Sequence, residues 1–340
     1  MMILYDLSGV EQFYPLALSR PLSELYYGMM NNHKRAELFS REHPEIKDIR
    51  VNSLFMGFKA LETLSCLEHN AAVHDSNGTL FAVAGDGSKK IRSGIPLVFR
   101  GIWEMMSENP RMLKEDFEHL GVTGYFAAEG AKIEEHVFID IKNGPVYIDK
   151  SAKVNAFSRI EGPSYIGENA QILGAKIRSG SSVFNDSRAG GEIEQSILYP
   201  YCNKYHEGFV GHSIFGSFTN LGALTTTSDL KNTYGQINVI QRGKTAGTGS
   251  SKIGTFCGDH SKLGIGTLLN SGTVIGFSSN LFGGGFFRKE YPSFYWGGPE
   301  KGIVYDLEKA METAITVLKR RNIEFNGEDA EIFRNIYNNK

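Results

Sequence analysis

The chain has 340 residues, 39 of them glycine, and a formal net charge of -2. That length holds one large or two medium domains with a sizeable core, and without an excess of basic residues nothing argues for a nucleic-acid partner. No stretch reaches the ~18 consecutive apolar residues of a membrane span, and the opening MMILYDLSGVEQFYP has neither the basic nor the apolar region of a secretory signal.

Cys66, Cys202 and Cys257 are too widely spaced for a disulfide framework or a metal motif, so a reducing, cytoplasmic setting is expected. Glycine is roughly 11% of the chain against a usual ~7%. Most of the excess lies after residue 120, as a chain that turns every few residues requires.

Residues 2–7 (MILYDL) predict a buried strand, and Gly9 starts a loop. Ser19 or Ser23 is placed to cap a helix with Leu22, Leu25, Tyr26 and Met29 on its apolar face. Residues 50–55 predict a second strand, and residues 71–84 a hairpin turning at Asn77-Gly78. A helical pattern over 97–120 is interrupted at Pro110. Strands interleaved with helices predict an α/β domain over residues 1–127.

The period then changes. Ile148, Val154, Ile160, Ile166 and Ile172 recur every six residues, the column slips by one at Ile177 and Val183, and it resumes at Phe209, Phe215 and Leu221. Cys257, Leu263, Leu269, Ile275 and Leu281 continue it, and Gly258, Gly264 and Gly276 follow three of them directly. A period of six fits neither an amphipathic helix nor an alternating strand. It predicts a triangular coil of short strands and tight corners, so residues 128–298 read as a parallel β-helix of six or seven coils. Residues 224–252 leave the pattern and are too polar and too long for a corner, so they read as an inserted loop of functional type. The cluster FGGGFFRKEYPSFYWGG reads as an end cap or a subunit contact. Residues 299–340 predict two helices, the first presenting Val304, Leu307, Met311, Ala314, Ile315 and Leu318 on one face and ending in Lys319-Arg320-Arg321.

Polar constellations decorate this frame. In Asn203-Lys204-Tyr205-His206-Glu207, side chains are expected to face outward, with His206 as a general base or a solvated coil edge and Lys204 meeting a phosphate. In Asp229-Leu230-Lys231-Asn232, Lys231 suits a phosphate and Asn232 a substrate amide or hydroxyl, or the segment is simply a turn. Asp259-His260-Ser261 is a polar corner expected to touch the cofactor, with His260 either a second acid/base group or a backbone-bonded corner residue. Asn220 and Asn270 suit structural contacts, and Arg188 and Glu192 bind substrate charge or pair with each other. His206, His212 and His260 raise zinc binding, but His206 and His212 fall on different faces of the triangle, and no metal site is expected.

The runs YCNKYHEGFVGHSIFGSFTNLGALTTTSDLKNTYG, FCGDHSKLGIGTLLNSGTVIGFSSNLFGGGF and PSFYWGG resemble the GlmU-like group. These are bifunctional UDP-N-acetylglucosamine pyrophosphorylase / glucosamine-1-phosphate N-acetyltransferases, here in a variant form with a shortened nucleotidyltransferase-like domain. The likeness covers residues 145–298 and, through YPLALSRPLSELYYG, part of the N-terminus. It implies a left-handed β-helix, a homotrimer, a small sugar phosphate as substrate, and acetyl-CoA bound between neighbouring helices.

Within that resemblance His206 is the general base. Phe209 stands where the family has a Tyr that contacts phosphate. Asn220 and Ala223 line the sugar and acetyl-CoA sites, and Asn232 resembles the Asn of an Asn-Tyr-Asp-Gly turn, here Asn-Thr-Tyr-Gly. Lys204 and Lys231 are not carried over. The family's phosphate loop, which contains Gly-Thr-Arg-Met, is replaced by residues 6–13 (DLSGVEQF), with one Gly and an added Glu11. Arg20 remains as a relic of the basic signature, a weak nucleotide contact. Nucleotidyl transfer is therefore expected to be weak or lost, and Mg2+ is needed only where it is retained. The leading expectation is an acetyl-CoA-dependent N-acetyltransferase of an amino-sugar phosphate, in sugar-nucleotide biosynthesis. The alternatives are a full bifunctional enzyme making UDP-N-acetylglucosamine and a non-catalytic β-helix scaffold or sugar-nucleotide sensor.

Overall fold

Short strands joined by tight corners cannot satisfy their own backbone groups, so each coil hydrogen-bonds to the next. In the computed structural model, which describes residues 2–6 and 10–340, this stacking builds a parallel β-helix with three faces. Leu7, Ser8 and Gly9, where the expected end of the first strand and the start of the loop fall, lie outside the described residues. Among the described residues the first face is a nine-stranded sheet running from Tyr125–Ala127 to Glu290–Tyr291. The second runs from Lys132–Ile133 to Tyr295–Gly297, and the third from Phe138–Asp140 to Leu268–Leu269. Nine levels exceed the six or seven expected, because the coil begins before Ile148 and its last strand lies beyond Leu281.

The inward column is the predicted one with two corrections. Ile148, Ile166, Val183, Leu198, Phe215, Cys257 and Ile275 stack in register on the first face, each fully buried. The slip at Ile177 is a register shift between Leu173 and Lys176, where the strands Gln171–Ile177 and Arg188–Glu194 run around a corner without a break. The first correction is that Val210, not Phe209, points inward on the third face; Phe209 is half-buried. The second is Lys204. It occupies an inward position beside Ala189, fully buried, rather than facing outward. Its ammonium donates to the carbonyls of Gly190 (3.3 Å) and His206. Burial pushes its pKa down to about 8, against the opposing charge of Glu207.

At the corner between first and second faces, the third residue after each inward residue takes a positive φ. Asn169, Asp186, Tyr201, Phe218, His260 and Ser278 lie between 51° and 66°. These L-residues sit in the left-handed region at a cost on the order of 1 kcal/mol each, which is sustained because the coils above and below fix them.

The inserted loop is shorter than 224–252. Thr226–Thr227 still pairs with Leu268–Leu269 as a coil strand, its threonines taking inward and outward positions that a hydrophobic pattern does not flag. The excursion then forms an antiparallel hairpin, Asn238–Gln241 with Lys244–Gly247. Ile237, Val239 and Ile253 are buried in the core that the first face shares with the N-terminal domain, and the Gln241 amide donates to the Tyr14 carbonyl at 2.6 Å. Phe287, Tyr291 and Tyr295 close the core at the far end, as the aromatic cap requires.

The N-terminal domain is a five-stranded mixed sheet with helices α1 (Asn32–Glu42), α2 (Gly57–Glu62) and α3 (Ile102–His119). The expected hairpin is present as Ala71–His74 and Leu80–Ala84. The helix expected from Ser19 or Ser23 is not. Residues 10–24 form three short 3-10 turns, and Pro15 and Pro21 immediately precede two of them. Conversely α3 runs through Pro110 uninterrupted. It docks there on the β-helix, the Asn109 amide donating to Gly180 O (2.8 Å) and Ser182 Oγ (3.0 Å). A Cβ at Gly180 would lie 2.6 Å from the Pro110 ring. The outward residues of the first face, Tyr165, Ile197, Ile214, Phe256 and Val274, share one core with this domain. Helices α4 (Leu307–Lys319) and α5 (Gly327–Asn338) cover the corner between first and second faces, with Phe333 against His260 and Phe277. No helix among the described residues is long and apolar enough to cross a membrane.

Arg20 and Asp259 pin the two domains together. The Asp259 carboxylate accepts from Arg20, from Ser19 Oγ (2.7 Å) and from the Ser217 N–H (2.8 Å), and the guanidinium lies 5.1 Å from the centre of the Tyr199 ring. Arg20 is thus committed to a structural pair, not presented to a nucleotide. Arg20→Ala or Asp259→Ala leaves one buried charge alone. Each is expected to cost about 3–5 kcal/mol in urea unfolding, and the double replacement less than the sum of the singles.

Lys204 gives a second prediction. Its folded pKa of about 8 lies below the ordinary lysine value of 10.5. Between those values the folded chain binds fewer protons than the unfolded chain, so stability rises with pH across that window, by at most about 1.4 kcal/mol per pH unit for one site. Lys262, also pushed to about 8, acts in the same direction. Melting temperatures from pH 8 to 9.5 should therefore climb less steeply in Lys204→Met than in the parent. An identical slope would place the Lys204 amine in solvent.

Candidate functional site at the coil edge

His206 sits on the corner between the second and third faces, after strand Asn203–Lys204 and before Phe209–Gly211. Its side chain is exposed, as are those of Tyr205 and Glu207. The corner beneath it is rigid. Its own carbonyl is held by buried Lys204, a Cβ at Gly190 would lie 2.1 Å from the Tyr205 carbonyl, and the Leu224 N–H donates to Glu207 O at 2.8 Å. The next corners in the stack carry Ala223-Leu224 and then Ile265, joined by Gly266 N–H to Ala223 O (2.8 Å). Leu224 is 59% and Ile265 78% exposed, and Phe286, which follows on the same side, is 68% exposed. An imidazole therefore stands at the end of an apolar edge that one subunit leaves open.

A cavity lies on the third face beside this edge. Thr226, Leu268 and Asn270 form its floor, Lys231 and Asn232 one wall, and Phe286 its far end. The structure so brings Lys231 and Asn232 together, as the sequence suggested, but His206 does not line this cavity within one chain. The Lys231 ammonium donates to Gln236 O, which folds the loop tip back on itself. The Asn270 amide donates to Phe287 O (2.8 Å), the structural contact expected of it.

Arg188 and Asn220 fall elsewhere, on the outward side of the second face. Asn220 accepts from the Asn203 amide at 2.6 Å. Arg188 does not pair with Glu192, which bonds Arg178 at 3.0 Å instead. The Asp259-His260-Ser261 corner, expected at the cofactor, is turned inward. Asp259 and Ser261 are buried, Ser261 Oγ donating to Gly276 O (2.7 Å). The His260 ring is stacked on Phe218 at 5.0 Å and covered by Phe333. Burial, then the charges of Lys262 and Arg20, push its pKa well below the ordinary histidine value, so it stays neutral and serves as a corner residue.

Sequence reading missed one pair. His212 Nδ1 and Asp229 Oδ2 are 2.6 Å apart at the neck of the inserted loop. Burial opposes the Asp229 charge, yet the hydrogen bond and charge of His212 outweigh it and hold the carboxyl below its usual range. The Ile253 N–H donates to Asp229 O (2.9 Å) across the same neck. The two residues are remote in sequence, and only the stacking of Gly211 against the strand Thr226–Thr227 places them together.

No protein-family profile matches the chain. A Sulfurisphaera tokodaii protein named as a bifunctional sugar-1-phosphate nucleotidylyltransferase/acetyltransferase is 26% identical over 183 residues, covering 50% of this chain and 43% of that protein. The chain therefore matches less than half the length of that relative. Among solved structures, the N-acyltransferase AntD from Bacillus cereus, in a mutant form in complex with dTDP and coenzyme A, is 15% identical over 61% of this chain and 97% of that chain, with a TM-score of 0.27. The UDP-N-acetylglucosamine acyltransferase from Campylobacter jejuni is 12% identical over 61% of this chain and 81% of that chain, with a TM-score of 0.29. Superpositions this loose carry no argument about function. The chain is thus similar, over half its length and at 26% identity, to a protein named for both sugar nucleotidyl transfer and acetyl transfer.

Proposed function

We propose that the chain is an acetyl-CoA-dependent N-acetyltransferase acting on an amino-sugar phosphate of the glucosamine-1-phosphate type. The observation that carries the reading is His206, an exposed imidazole on a corner whose backbone is fixed from inside the coil by Lys204. The name of the Sulfurisphaera tokodaii relative supports it. In this reading the sugar 2-amine attacks the thioester carbonyl, a C–N bond forms, His206 takes the amine proton, and the C–S bond breaks to release coenzyme A. Lys231 and Asn232, in the third-face cavity, hold the sugar phosphate. Ala223 borders the acyl-CoA track. Phe209 contributes apolar contact and no hydroxyl. Acetyl-CoA is a substrate here, and this reading assigns no metal a role.

The apolar edge at Leu224 and Ile265 is assigned to the subunit contact of a homotrimer. A neighbouring coil supplies the second wall that one chain lacks, and joins His206 to a substrate cavity. The N-terminal domain acts as a docking element. Arg20 is locked to Asp259 and Glu11 pairs with Lys244 of the loop hairpin at 3.1 Å, so neither is free to serve a nucleotide. The bifunctional reading is favoured only by the name of the relative. Incubation with UTP, Mg2+ and N-acetylglucosamine-1-phosphate decides it, since pyrophosphate release requires an intact nucleotidyltransferase.

Two outcomes are expected. His206→Ala should lower turnover of acetyl-CoA with glucosamine-1-phosphate by roughly 10²–10⁴-fold, read as thiol release, with an unchanged far-ultraviolet spectrum. A scaffold or sensor predicts no turnover for the parent to lose. Ile265→Asp should shift the chain from trimer to monomer in light scattering and reduce turnover with it. A monomeric parent with full activity would refute the shared site.

A further inference from the structure

Helix α4 ends over the outward side of the second face and encloses a cavity of about 350 Å³. The cavity is separate from the third-face one, and no residue lines both. Four cations line it: Arg188 and Lys262 from the coils, and Arg320 and Arg321 from the end of α4. Among the described residues none of the four lies within 4.0 Å of a carboxylate oxygen. Two carboxylates lie near enough to act on the cluster without pairing, Asp186 on Arg321 and Asp259 on Lys262, and Arg321 bonds the Asp186 backbone carbonyl at 3.3 Å.

The crowding shows at Arg321. Burial, then the positive charge of Arg188, lowers the Arg321 pKa, and Arg320 adds to it. Burial brings Lys262 to about 8 although its ammonium donates to Phe218 O and His260 O, both at 2.8 Å. The Arg188 Nε–H is buried without a partner, and so is Asn203 Oδ1. Cations so gathered repel one another and forfeit hydration. The helix dipole favours cations at the end of α4, but it accounts for neither their approach to Arg188 nor the unpartnered Nε–H.

One wall is aromatic. Tyr201 and Phe218, at the same corner of successive coils, are stacked 4.8 Å apart and 4° from parallel. Both rings line the cavity beside the cations. Flat apolar walls next to convergent donors suit a small molecule carrying a strongly anionic group.

We propose that this cavity binds the diphosphate group of a small phosphorylated ligand, between the coils and the end of α4. Arg188 and Arg321 meet the phosphate oxygens with guanidinium N–H donors, Lys262 and Arg320 add charge, and Asn203 and Asn220 border it. The site is independent of the acetyl-transfer reading, because it contains neither His206 nor the third-face cavity.

Calorimetric titration of the full chain with inorganic pyrophosphate and, separately, UDP tests it. At least one should bind saturably. Arg320→Gln with Arg321→Gln should weaken that binding by roughly tenfold or more, and His206→Ala should leave it unchanged. Arg188→Gln, on a coil strand, should give a comparable loss and guards against a local effect on α4; melting temperatures verify that each variant is folded. Equal affinities for the two ligands identify a free diphosphate anion, and tighter UDP identifies a nucleotide whose base packs against the exposed edge of the Tyr201–Phe218 stack. Absence of saturable binding by both ligands overturns the proposal. So does a folded double variant that binds as the parent does, or loss of binding in His206→Ala, which would move the ligand to the transfer site.

Discussion

The backbone hydrogen bonds between coils set the terms for everything else. Once Ile166 is fixed over Ile148 and Val183 over Ile166, every outward position is also stacked on its counterpart one coil away. A side chain in this fold therefore acts in a column. The first-face column of Tyr165, Ile197, Ile214, Phe256 and Val274 is apolar, and the N-terminal domain and loop hairpin cover it. The second-face column of Arg188, Asn203, Asn220 and Lys262 is polar and meets the end of α4. The third face stays open and carries the inserted loop. One constraint thus divides the surface into a docking wall, a charged wall and an open wall with its own cavity.

The same constraint explains how a lysine comes to lie inside the coil. Lys204 takes an inward place between Ala189 and the corner at His206, where a small neighbour leaves room for its stem. Burying its charge is unfavourable, which its depressed pKa records, but the carbonyls of Gly190 and His206 offer acceptors that a leucine would leave without that partner. The arrangement trades stability for a fixed corner. That corner carries the exposed imidazole of His206, so the interior of the coil and its solvent-facing edge share a hydrogen bond.

Much of this architecture was legible in sequence. A strict six-residue column from Ile148 to Ile172 and from Cys257 to Leu281 specifies the coil, since each apolar residue has only one direction to face. Legibility failed where the column is interrupted. Between Ile172 and Phe215 the corners shorten, and Phe209 satisfied a hydrophobic pattern that Val210 satisfies in three dimensions. Lys204 broke the pattern and so was read as outward. Thr226–Thr227 was assigned to the loop because two threonines carry no apolar signal. In the N-terminal domain, Pro110 signalled a break that tertiary docking on Gly180 overrides. Of the candidate site, His206, Lys231 and Asn232 were singled out by residue type, and they lie on an exposed corner and at the third-face cavity, whereas the His212–Asp229 pair depends on stacking no local pattern reveals.

Asp259 shows why chemical type alone does not locate function on a repeating scaffold. It occupies a polar corner of the kind that could face a cofactor, next to a histidine and a serine. Its column neighbours decide otherwise. The first face beside it carries Tyr199, the N-terminal domain delivers Arg20 onto that ring, and the carboxylate closes the gap with Ser19 and Ser217. His260 is drawn in behind it, between Phe218 and Phe333, and loses its proton affinity with its solvent. His206 lies on a corner where neither the N-terminal domain nor α4 and α5 reach, and so keeps its imidazole in solvent. On a prism of stacked coils the difference between a buried structural histidine and a solvent-facing one is thus which corner it occupies, and what the rest of the chain has already laid against that corner.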